Sequence, residues 1–169
     1  AKELFIWSRG EENLTERFPE LEALKNFIPD GSVLDGEVVA WGGEKPLNFN
    51  ILQKRIGRKK VSKSLIEKSP VILIAYDLLE VQGKDIRNQK LGLRRSKLKK
   101  LINLIPNNLP IKLSEEIESN TWRDLSLKRE ASRSHNAEGI MLKTRNSDYS
   151  SGRKKGVWWK WKLDPLTIE

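Results

Sequence analysis

Residues 71–79 read VILIAYDLL, a run that is apolar at every position except Tyr76 and Asp77. Such a run predicts a central strand covered on both faces. A chain built around one must also supply the strands that flank it and the helices that cover it.

The rest of the sequence does alternate in that way. Residues 3–8 predict a strand with Leu4, Phe5, Ile6 and Trp7 as its apolar body. Residues 19–27 carry Leu21, Leu24 and Phe27 behind an acidic start, the pattern of an amphipathic helix. A strand is expected over 32–41, closed by Gly42-Gly43, and a short helix over 48–56 capped by Asn48. Residues 91–105 put Leu91, Leu98, Leu101, Ile102 and Ile105 on one helical face; Gly92 weakens the first turn and Pro106 stops the helix. Strands follow at 111–117 and 139–143, with a helix from 121 to about 135 between them, and a last strand covers 157–163. No internal repeat or low-complexity linker interrupts the series. The 169 residues therefore read as one α+β unit.

Charge points to a polyanionic partner. The chain has 32 basic and 23 acidic residues, a net +9. The excess is clustered. Lys54, Arg55, Arg58, Lys59, Lys60 and Lys63 surround Gly57, residues 84–100 hold eight basic side chains against Asp85 alone, and a third group runs over 153–162. Three separate stretches suit a phosphate backbone track, although solvated helix faces yield similar counts. Cysteine is absent and His135 is the lone histidine, which excludes thiolate-held metals and argues against a histidine-based one. No apolar run is long enough to span a bilayer, and the start lacks a signal-peptide pattern.

Polar residues that interrupt strands are the candidates for chemistry. In the last strand, alternation sends Lys160 and Lys162 to one side and Trp161 to the other. Two neighbouring ammonium groups repel unless an anion lies between them, so a phosphate grip and a charged strand edge are the two readings. Glu37 interrupts Val38, Val39 and Ala40, and needs a hydroxyl, cation or metal as partner unless it faces solvent. Asp35-Gly36 before it reads as a bulge or turn. Glu138 opens the strand that Lys143 closes, and Gly139 between them would let a ligand approach the backbone. Two such glutamates could share a divalent ion. Arg9, beside Gly10, offers a forked donor suited to ribose or phosphate oxygens, or else lies in an exposed turn.

WSRGEEN, LDGEVVAW, AYDLLEVQGKDIR, EGIMLK and WWKWKLD occur in this order across residues 7–164. The series resembles the ordered motifs of ATP-dependent DNA ligases, within the nucleotidyltransferase superfamily that includes RNA ligases and messenger RNA capping enzymes. The resemblance implies an α+β, ATP-grasp-like nucleotidyltransferase core of mainly antiparallel sheets flanked by helices. It also implies ATP as substrate and AMP donor, Mg2+ as cofactor, nicked double-stranded DNA as partner, and a monomeric, cytoplasmic, DNA-associated protein. By position, Glu37 resembles the residue that holds a ribose hydroxyl, and Arg9 the one that contacts the nucleotide or the nick phosphate. Tyr76 resembles the aromatic residue stacked on adenine, and Glu138 the carboxylate that helps to hold the metal, with Glu37 as a second candidate. Lys160 and Lys162 resemble the catalytic pair on the α-phosphate, and Lys143 is expected in the same pocket.

The family's nucleophile is a lysine in a Lys-x-Asp-Gly motif, and this sequence has none. Lys2 is followed by Glu-Leu-Phe and lies only seven residues before Arg9, too close to take that position. The chain is therefore expected to be part of an adenylation domain, without the nucleophile segment and the OB-fold domain, and unable to adenylate itself; a degenerate homologue is the alternative. The resemblance leaves an RNA ligase, a capping-type enzyme or a non-catalytic nucleic-acid-binding module as other readings. LGLRRSKL after the central motif favours the DNA ligases.

Overall fold

The computed structural model describes residues 2–58, 60–150, 152 and 155–164. Of the basic groups named above, Lys59, Arg153 and Lys154 lie outside the described residues.

The opening strand expected over 3–8 is not formed. Trp7 and Asn13 make a single antiparallel bridge. The Ile6 N–H donates to Thr15 Oγ1 and the Ile6 carbonyl accepts from Leu14, so this segment folds back onto residues 13–15. Leu4 and Ile6 still pack against the core. Short 3-10 helices follow at Thr15–Arg17 and Pro19–Asn26. The second replaces the expected α-helix for a visible reason. Phe18, Leu21 and Leu24 recur every third residue, which matches three residues per turn, and their exposures are 2%, 2% and 1%.

The remaining elements are β1 (Val33–Gly42), β2 (Lys45–Pro46), α1 (Phe49–Ile56), α2 (Lys63–Lys68), β3 (Val71–Val81), β4 (Lys84–Asp85), α3 (Leu91–Ile102), β5 (Ile111–Leu113), α4 (Trp122–Glu130), a 3-10 turn at Ala131–His135, β6 (Gly139–Lys143) and β7 (Trp158–Lys162). Asn48 caps α1 as expected, accepting from the Asn50 N–H at 2.9 Å. Helix α3 ends before Ile105, because Pro106 disfavours helical backbone at the residue before it and the chain tightens into i,i+3 turns at Leu104 and Ile105. The strand expected over 111–117 is only three residues long; Ser114 makes the last bond to β3, through the Ala75 carbonyl.

β3 is central. It pairs antiparallel with β1 and β4 and parallel with β5, while β2 extends β1. One face of this sheet carries Ala40, Ala75 and Leu78 into a core shared with Leu21, Leu24, Leu52, Leu98 and Leu101. The register against β1 slips twice, at Val33/Leu34 and at Asp35/Gly36. Asp35 lies opposite Asp77 and Gly36 opposite Ala75, so Tyr76 is the extra, unpaired residue. The bulge expected from Asp35-Gly36 is therefore carried on the partner strand, and Tyr76 is the side chain that it re-aims.

β6 and β7 form a separate antiparallel pair, with Gly139 opposite Lys162 and Met141 opposite Lys160. Its outer face meets α4: Trp161 lies edge-on to Trp122 at 6.0 Å, and Arg129 stacks over Trp161 at 4.8 Å. Gly139 has φ +145°, and a Cβ there would lie 2.2 Å from the Trp161 carbonyl oxygen. The close approach that needs this glycine is made by the neighbouring strand, not by a ligand.

Two members of the basic groups are structural. Arg55 is wholly buried, donating to Glu20 Oε1 and Oε2 at 2.5 and 2.7 Å and to the Ser69 and Arg17 carbonyls. Arg94 is equally buried against Asp77. Neither can contact a nucleic-acid backbone, so the first two basic stretches contribute less surface charge than their counts imply.

Candidate functional site

Alternation along β6 and β7 puts Met141, Lys143, Trp158, Lys160 and Lys162 on the face away from α4. Lys143 is the link across to the large sheet. Its ammonium lies 4.1 Å from the Tyr76 ring centroid and 3.8 Å from that of Trp158. Trp158 stands edge-on to both Tyr76 and Tyr149, at 6.2 and 5.9 Å. Both tyrosine hydroxyls donate to one carboxylate: Tyr76 to Asp35 Oδ1 at 3.0 Å and Tyr149 to Asp35 Oδ2 at 2.9 Å. The two sheets thus meet in a cluster of three aromatic rings, one cation and one carboxylate.

Electrostatics follow from that burial. Desolvation pushes the Lys143 ammonium down to about 8, against the opposing pull of Asp77 and Asp35. Desolvation raises the Tyr76 phenol, with Asp35 adding to the effect through charge and hydrogen bond, and with smaller contributions from Tyr149 and Glu37. Tyr149 is pushed up to about 12 by burial, with Asp35 again second.

Behind this cluster stands the buried ion pair. Arg94 Nε and Nη2 donate to the two Asp77 oxygens at 2.8 Å each, and Nη1 donates to the Gln89 and Ser147 carbonyls. The Leu91 and Gly92 N–H groups at the start of α3 donate to the Ser147 and Arg145 carbonyls. The Tyr149 N–H donates to the Arg87 carbonyl. One arginine therefore ties β3, α3 and the segment before Tyr149 into a fixed frame.

Glu37 is exposed on the sheet face opposite the core, paired with Ile74 and close enough to Tyr76 to influence its phenol. Lys160 and Lys162 are exposed while Trp161 is turned to α4, as the alternation requires. The anion beside Lys162 belongs to the chain itself: Glu138 Oε2 lies 2.7 Å from its Nζ. That hydrogen bond and charge hold the Glu138 carboxyl below its usual range, with Lys160 adding a smaller effect. Arg9 stands apart, in an exposed turn over residues 8–11; among the described residues it makes no hydrogen bond or ion pair with the other candidates.

No group of three or more His, Cys, Asp or Glu side chains gathers among the described residues, so Glu37 and Glu138 belong to no all-protein metal cage. Mg2+ needs only one or two carboxylates when phosphates supply the remaining oxygens. Glu138, exposed and kept ionised by Lys162, suits that role.

Sequence reasoning did not single out Asp35, Asp77, Arg94, Tyr149 or Trp158 as site residues. Asp77 carried a signal, as a carboxylate inside the most apolar run of the chain. Tyr149 carried none, because it lies 114 positions from its partner Asp35.

A family model described as the ATP dependent DNA ligase domain matches residues 1–162. The chain is 29% identical over 184 aligned residues to a probable DNA ligase of Koribacter versatilis, covering 97% of this chain and 32% of that protein. It is 33% identical to DNA ligase 1 of Saccharomyces cerevisiae, covering 95% of this chain and 22% of that protein. The chain thus spans a third or less of these relatives' length. Among solved structures it is similar to a mycobacterial DNA ligase D complexed with ATP and MES, with TM-score 0.70 and 28% identity, over 94% of this chain and 47% of that one.

Proposed function

The chain belongs to the ATP-dependent DNA ligase domain family, and we propose that it forms the nucleotide-holding part of an enzyme that seals nicks in double-stranded DNA. The facing of the two sheets across Lys143 supports this reading most directly, with Tyr76 and Glu37 on one side and Lys143, Lys160 and Lys162 on the other. The family relationship gives the fold as an α+β nucleotidyltransferase core.

In this reading adenine stacks on Tyr76 and Glu37 accepts from a ribose hydroxyl. Lys160 and Lys162 grip the α-phosphate and offset the charge that builds at phosphorus. Lys143 adds a cation between base and phosphates, and Arg9 meets the nucleotide or the nick phosphate when the loop that carries it is engaged. Glu138, or Glu37 as the second candidate, would hold Mg2+, which would shield the phosphates and improve pyrophosphate as the leaving group.

A nucleophilic lysine from outside these 169 residues attacks the α-phosphorus, giving lysyl-AMP and pyrophosphate after loss of the amine proton. AMP then passes to the 5′-phosphate of the nick. The 3′-hydroxyl attacks that phosphate, forms the phosphodiester and releases AMP. The enzyme works as a monomer on its duplex.

The test uses a longer form of the protein that carries a Lys-x-Asp-Gly segment. Covalent labelling from α-labelled ATP, strongly reduced by Lys160→Ala, and sealing of a DNA nick are expected. Full labelling in Lys160→Ala would sink the role given to that lysine. Sealing of RNA nicks but not DNA nicks would move the protein to the RNA ligases.

A further inference from the structure

The ring face of Tyr76 turned toward the second sheet is already taken. Lys143 Nζ lies 4.1 Å from its centroid and is backed by Trp158 at 3.8 Å. Lys143 is also the only strand residue that reaches across from β6 to this tyrosine among the described cation–ring contacts. A flat base can stack on that face only by moving the ammonium off it. The displaced cation is largely desolvated; of the two carboxylates that act on it, Asp77 is paired with Arg94 and Asp35 is already engaged by two tyrosine hydroxyls. A cation that loses an aromatic face in such surroundings needs a new counter-charge. Lys160 lies on the same face of the two-stranded sheet and cannot supply one.

Resting on the proposed nucleotide pocket, we infer that Lys143 is a specificity-determining residue that couples base stacking to phosphate binding. A nucleotide expels the ammonium from Tyr76 and gives it a phosphate oxygen in exchange. A nucleoside expels it and gives nothing. The pocket therefore discriminates AMP from adenosine by more than the direct grip of Lys160 and Lys162 on the phosphate.

Titration calorimetry with adenosine and AMP on wild-type protein and Lys143→Met tests the coupling. Desolvated cation–ring contacts of this kind correspond to about tenfold or more in affinity. Lys143→Met is expected to bind adenosine about tenfold more tightly than wild type and AMP more weakly, so that the AMP-to-adenosine ratio collapses. Lys143→Arg keeps a cation over the ring and is expected to keep the wild-type ratio. Trp158→Leu, which loosens the clamp while leaving Lys143 in place, is expected to tighten adenosine binding, and this arm stands even if Lys143→Met fails to fold. An unchanged ratio in Lys143→Met, or equal loss of the ratio in Lys143→Arg, overturns the inference and leaves the pocket assignment intact. Failure of wild-type protein to bind AMP or ATP at all overturns the pocket assignment as well.

Discussion

Arg94 and Asp77 form a two-pronged ion pair, Nε to Oδ1 and Nη2 to Oδ2 at 2.8 Å each, and neither side chain has any exposure to solvent. Asp77 directly follows Tyr76, and Arg94 also bonds to the Ser147 carbonyl, two residues before Tyr149. The pair thus fixes both phenols that share Asp35.

Removing one partner strands the other as an uncompensated buried charge, which costs about 3–5 kcal/mol. Asp77→Ala is accordingly expected to lower unfolding free energy by about that amount in a urea titration. A loss below about 1 kcal/mol would mean that water reaches Arg94 and the pair is not a buried one.

Gly139→Ala tests the second sheet. The φ of +145° suits glycine, and the added methyl would meet the Trp161 carbonyl oxygen at 2.2 Å. Relief requires β6 and β7 to part, so a destabilisation of about 2 kcal/mol or more is expected, by backbone strain together with loss of pairing. Amide exchange at Trp161 and Lys162 should speed up in the variant while β1 and β3 stay protected. Unchanged exchange at those two positions contradicts the assigned contact.

Lys143 gives the pH dependence a definite sign. Its folded value of about 8 lies below the usual lysine value, because burial disfavours the charged form. Below about pH 8 both folded and unfolded states hold the proton, and folding carries the whole desolvation cost. Between there and roughly pH 10.4 the unfolded state holds more protons, so this group adds stability as pH rises. The raised phenols of Tyr76 and Tyr149 act oppositely above about pH 10, where the unfolded chain ionises first. Comparing wild type with Lys143→Met isolates the lysine. The stability difference should shift in favour of wild type from pH 8 to pH 10; a flat difference contradicts the assigned burial.

Much of this architecture was legible in the sequence, and where it was not the reasons are physical. The run through Ala75 and Leu78 marked the central strand, but the expected cover on both faces is not found: one face is buried in the core, while on the other Ile74 and Tyr76 are only half-buried beside the exposed Glu37. Asn48 marked a helix start because its side chain bonds locally. Leu21, Leu24 and Phe27 suggest an α-helix because a three-residue spacing also fits one side of an α-helix over so short a span, whereas the chain forms a 3-10 helix. Apolar content at Phe5 and Trp7 suggested a strand, but both are exposed and only one bridge forms. In the site, Lys160, Lys162 and Glu138 were readable as polar residues in apolar strands, and two of them do pair. Asp35, Tyr149 and Trp158 were not, because contacts across such separations leave no local pattern. Arg55 and Arg94 looked like surface charge because burial of an arginine depends on a distant carboxylate that composition does not reveal.

In the proposed function a nucleotide is held where the two sheets face each other, by Tyr76 on one side and the paired lysines on the other. ATP titrated calorimetrically into wild-type protein, Tyr76→Leu and the double variant Lys160→Ala/Lys162→Ala tests it most directly. Wild type is expected to bind, Tyr76→Leu to bind about tenfold or more weakly through loss of stacking, and the double variant to bind about a hundredfold more weakly through loss of two charge-assisted contacts. Binding that is absent in wild type, or equal in all three proteins, would contradict the account.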